Sequence, residues 1–79
     1  MNVFSFNKLD DLDQLVTLLD KGVFLAYRIK GVYLVKLYQI NDFYVETYCH
    51  IEHNRVDSMR SFSCTEQLAP YLKNIKLNI

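Results

Sequence analysis

Three runs rich in β-branched and aromatic residues follow one another almost without a break: Val23 to Ile29, Val32 to Ile40 and Phe43 to Ile51. Only Lys30-Gly31 and Asn41-Asp42 separate them. That pattern commits the middle of the chain to a three-stranded antiparallel meander. Everything else must pack around it, because 79 residues make one small domain with a marginal core and no room for an internal active-site cavity. The chain is 51% apolar with two glycines and one proline, so it is expected to be ordered.

Before the meander, NKLDDLDQLVTLLDKG reads as a helix. Asn7 is a candidate N-cap, Asp10, Asp11 and Asp13 lie near the positive helix start, and Lys21 precedes Gly22 at the end. Leu9, Leu12, Leu15, Val16 and Leu19 form its apolar stripe. After the meander, RVDSMRSF has Val56, Met59 and Phe62 spaced by three and reads as a short, irregular edge strand. Ser63-Cys-Thr-Glu66 is a capping-box pattern that opens a second helix running to about Lys76. Its stripe is Cys64, Leu68, Tyr71, Leu72 and Ile75, and Pro70 implies a kink or an uneven first turn. The expected fold is α+β, in the order α-β-β-β-(β)-α, with both helices on one face of the sheet.

Both faces of the meander carry apolar side chains, so charge is used to choose the register. Two-residue loops would place Lys36 between Leu25 and Thr47 beneath the helices, at a cost of several kcal/mol. Three-residue loops instead put Lys36 opposite Glu46 on the outer side. The outer face would then hold Phe24, Arg28, Leu34, Lys36, Tyr38, Tyr44, Glu46 and Tyr48, with Tyr38 facing Tyr44 and Leu34 facing Tyr48. An aromatic patch rimmed by charge has the composition of a contact surface. The expected function is a non-enzymatic interaction module that pairs with itself, as a homodimer, or with another protein.

The same face, with Arg28 and Lys36 among aromatics, also suits single-stranded nucleic acid. Against that stand Glu46, zero net charge and the absence of a ribonucleoprotein motif. A metal or thiol site at the end of the third strand is the weaker alternative. Cys49, His50, Glu52 and His53 are close in sequence, but strand alternation points Cys49 inward and His50 and Glu52 outward, so the four diverge. Asp10, Asp11 and Asp13 resemble an ion cluster but serve the helix dipole. Phosphate-cradling glycine loops and hydrolase elbows are absent, so no cofactor is expected. No apolar run is long enough to span a bilayer, and the polar N-terminus does not resemble a signal peptide. A cytoplasmic location follows, with Cys49 and Cys64 as reduced thiols.

Overall fold

A computed structural model describes residues 1–72. The elements run α1 (Val3–Asn7), α2 (Asp11–Lys21), β1 (Val23–Lys30), β2 (Tyr33–Ile40), β3 (Phe43–His50), β4 (Arg55–Phe62), a 3-10 turn (Thr65–Leu68) and α3 (Ala69–Leu72). The α+β class and element order are as expected, and the fourth strand is a full eight residues long. The strands form one antiparallel sheet in the order β1-β2-β3-β4. Among the described residues, no helix is long and apolar enough to cross a membrane.

The N-terminal helix divides in two. Asn2 caps α1 by accepting from the Ser5 N–H, and Asp10 caps α2 by accepting from Asp13 N–H at 2.8 Å. Asn7 therefore ends a helix instead of opening one, and its Oδ1 accepts from the Ser61 hydroxyl on β4. Gly22 then takes the chain off α2 so tightly that a Cβ there would lie 2.4 Å from the Leu18 carbonyl oxygen. The expected apolar stripe of α2 is only partly used. Leu18 is the buried residue, whereas Leu12, Val16 and Leu19 are exposed.

The turns have two residues, not three. Lys30 pairs with Tyr33 across Gly31-Val32, and Ile40 pairs with Phe43 across Asn41-Asp42. Gly31 and Asn41 take positive φ, 59° and 52°, at the first turn position, as turns that match strand twist require. Lys36 consequently pairs with Tyr27 and Thr47, and Glu46 with Leu37. A one-residue change of register flips a strand's side chains relative to its neighbour. Here it exchanges the expected faces of β2 against β3.

Both faces are thereby apolar, and each receives its own cover, which corrects the expectation of two helices on one face. On one side, Ile40, Phe43 and Val45 are buried with Phe6 and Leu18, and Tyr38 and Met59 border them. On the other, Leu37 and Phe62 are buried with Tyr71, flanked by Ala26, Tyr44 and Leu68. Each terminal segment carries apolar surface for one cluster only. The C-terminal segment is also less regular than expected: no side chain caps its first turn at Cys64, and Pro70 lies within α3. The expected extension to Lys76, including Ile75, lies outside the described residues.

This distribution of burial yields a stability test. Leu18→Ala should cost about 2–5 kcal/mol in urea denaturation, since it empties part of a closed cluster. Leu25→Ala, at a largely exposed position, should stay within about 1 kcal/mol of the parent.

Candidate functional site

The eight residues expected on one outer face are split by the register. Arg28, Tyr44, Glu46 and Tyr48 lie on the side covered by α3, while Leu34, Lys36, Tyr38 and Phe24 lie on the side of α1 and α2. Leu34 pairs with Cys49 and Tyr38 with Val45, so neither meets its expected partner. A bulge at Leu25 shifts the register so that Phe24 pairs with Tyr38, their rings 5.7 Å apart. Lys36 avoids the feared burial because the helices cover the Ile40–Phe43 end of the sheet and leave it half-exposed.

Glu46 is the feature that sequence reasoning misplaced most. Its exposure is 0%, at the centre of the α3 side. Arg60 donates from Nη2 at 2.7 Å and Nε at 3.0 Å to Oε1, while Arg28 Nη2 donates to Oε2 at 3.3 Å. The Tyr71 hydroxyl also donates to Oε2. Two opposite charges and four donors offset the cost of removing a carboxylate from water. The Arg28 guanidinium lies 5.4 Å from the Tyr71 ring centre, a cation–π contact. Burial works against the Arg28 charge, but hydrogen bonding to Tyr71 and Glu46 outweighs it and raises the pKa. Burial, with the hydrogen bond to Glu46, also raises the Tyr71 phenol well above its ordinary value of 10.0.

This cluster is a clasp. The carboxylate's acceptor positions are occupied by protein donors, and the Tyr71 phenol is held protonated. What it does is fasten the C-terminal segment to the sheet. A signal was available in the sequence: Glu46 interrupts an apolar strand, and Arg28 and Arg60 are two of only three arginines.

The residues at the end of β3 also separate, with one exception. Cys49 is half-buried on the α2 side and His50 is on the other, while Glu52 and His53 are in the exposed turn 51–54. Asn54, at φ 50°, folds that turn back so that the His50 and His53 rings lie 4.4 Å apart, closer than strand alternation suggested. The His53 N–H donates to His50 Nδ1 at 3.3 Å, so that nitrogen is engaged. Nearby, Tyr33 and Arg55 both donate to Asp57, and the Arg55 hydrogen bond holds its carboxyl below the usual range. Among the described residues, no three His, Cys, Asp or Glu side chains are grouped to hold a metal ion.

The least satisfied surface is β1. It is an edge strand, and Val23, Phe24, Leu25, Tyr27 and Ile29 are all exposed, Tyr27 at 61% and Ile29 at 68%. A groove of about 620 Å³ follows it, lined by the consecutive residues 24–29 and by Tyr71. On the same side of the sheet as Tyr27 and Ile29, α2 leaves Leu12, Val16 and Leu19 exposed, with Leu12 near Val56 and Met59 of β4. Sequence gave no sign that β1 would be the bare strand, because its composition matches that of β2.

No known protein family matches the chain, and no curated protein or solved structure resembles it closely enough to count as a match.

Two measurements check this account. Stability contributed by the Tyr71 proton is fully present below pH 10 and is lost as pH rises toward the raised folded-state pKa. The melting temperature of the wild type should therefore fall more steeply above pH 10 than that of Tyr71→Phe. Zinc added to the reduced protein should leave the melting temperature within about 1 °C, because two imidazoles with one nitrogen engaged make a poor site.

Proposed function

We propose that this chain is a small non-enzymatic interaction module whose binding surface is the β1 edge and the apolar ground beside it. The observation that carries the reading is the exposure of five large apolar residues, Val23, Phe24, Leu25, Tyr27 and Ile29, on one edge strand whose outer side has no partner among the described residues. An edge strand offers a row of free main-chain donors and acceptors, and proteins that do not use such an edge blunt it with charge, proline or cover. The groove along β1 follows six consecutive strand residues, the course an added extended segment would take. Main-chain hydrogen bonds would supply affinity, and the exposed side chains would select alternating apolar residues in the partner.

A nucleic-acid reading is less favoured. The expected stacking residues are divided between two faces, and Arg28 is committed to Glu46. The partner proposed is a polypeptide, met as an extended strand.

Selection from a random peptide library displays the chemistry directly. Wild type should enrich extended sequences with alternating apolar residues, and Ile29→Lys should lose them at least tenfold while keeping its melting temperature. Failure to enrich any such sequence, or enrichment that survives Ile29→Lys and Tyr27→Lys alike, would refute the proposal.

A further inference from the structure

We infer that the strand received by β1 is β1 of a second copy, paired antiparallel about a two-fold axis at Tyr27 to give one eight-stranded sheet. This rests on the reading of β1 as the binding surface and names its occupant.

The main chain sets the register. The two-residue turn makes Lys30 and Tyr33 the closing hydrogen-bonded pair of the β1–β2 hairpin. By alternation, Arg28 and Ala26 direct their N–H and C=O groups to β2, whereas Ile29, Tyr27 and Leu25 direct theirs away from the sheet. Among the described residues no strand pairs with them. In a continuous sheet, residues directly opposite each other share a face. A two-fold axis must then lie at a residue, and an axis at Tyr27 is the one that pairs all three of Leu25, Tyr27 and Ile29. Tyr27 meets its own copy, and Leu25 meets Ile29. The bulge at Leu25 limits the regular ladder to residues 25–29.

Charge permits this pairing. β1 carries Arg28 and Lys30 and no acid, so many pairings with itself would oppose like charges. In this one, Arg28 lies opposite Ala26 and is paired with Glu46, and Lys30 lies beyond the ladder opposite Phe24. No cation faces its copy.

The other edge explains why the second copy should not add head to tail. β4 is bulged and presents Arg55, Asp57, Ser58 and Arg60, and its Ser61 is tied to Asn7 of α1. Such an edge is poorly matched to an apolar strand. Pairing of β1 with β1 uses the more apolar of the two described edges on each copy and closes at two.

Sedimentation equilibrium over a wide concentration range is expected to show wild type associating to a dimer and no further, with Ile29→Lys monomeric. Cysteine pairing then tests the register in full-length protein with Cys49→Ser and Cys64→Ser. Residues in a hydrogen-bonded antiparallel pair have Cα atoms about 5.5 Å apart, within disulfide reach. Tyr27→Cys should oxidise to a disulfide dimer. Leu25→Cys should not do so alone but should join Ile29→Cys in a mixture. A wild type that stays monomeric overturns the inference, as does a dimer that survives Ile29→Lys without Tyr27→Cys crosslinking. Slow amide exchange at Leu25, Tyr27 and Ile29 in a monomer would assign the edge to residues 73–79 of the same chain, which also overturns it. A monomer that still selects peptides through β1 rejects the second copy but retains the proposed function, whereas loss of both rejects the two together.

Discussion

Turn length governs this fold. With two residues in each of the first two hairpins, Ile40 and Phe43 share a face, as do Leu37 and Glu46. One further residue in the second turn would exchange the faces of β2 against β3, because side chains alternate with a period of two. The positive φ of Gly31 and Asn41 is what the short turns demand, and glycine and asparagine are the residues that reach it at least cost. From that parity follow the two apolar faces, the separate covers and the position of Glu46.

The burial of Glu46 is the most expensive consequence. A carboxylate at 0% exposure is tolerated because Arg28, Arg60 and Tyr71 converge on it from β1, β4 and α3. Such a cluster adds little net stability over an apolar filling, yet removing one partner is costly because it strands a charge. Its effect here is positional. Among the described residues the C-terminal segment is one 3-10 turn and four helical residues, and the Tyr71 hydroxyl fixes their position on the sheet. The Arg28 Nε atom remains buried without a partner, which makes Arg28 the least satisfied member of the group.

The two edges of the sheet are unequal for reasons that also trace to the terminal segments. α1 reaches β4 through Asn7 and Ser61, whereas α3 approaches β1 at Tyr71 and, among the described residues, leaves its apolar side chains bare. A core this small cannot cover four strands on both faces. Much of the uncovered remainder lies along β1, while Leu12, Val16 and Leu19 of α2 and Phe4, Ile51 and Val56 are exposed elsewhere.

The strands, the helix at residues 11–21, the α+β class and the absence of a glycine-rich phosphate loop were legible in the sequence, because they depend on composition and on short-range periodicity. Even the separation of Cys49 from His50 followed from alternation along a single strand. The choice of face did not. Two turn lengths differing by one residue were both compatible with Gly31 and with Asn41-Asp42, and the argument from Lys36 assumed that helices would cover the whole of one side. Lys36 escapes burial because α1 and α2 cover only the end near Ile40 and Phe43, which is a fact of packing. Local sequence determined which residues alternate. Only the tertiary structure decided which partner each alternating set meets, since strand pairing is set by the energy of the whole assembled sheet and its covers.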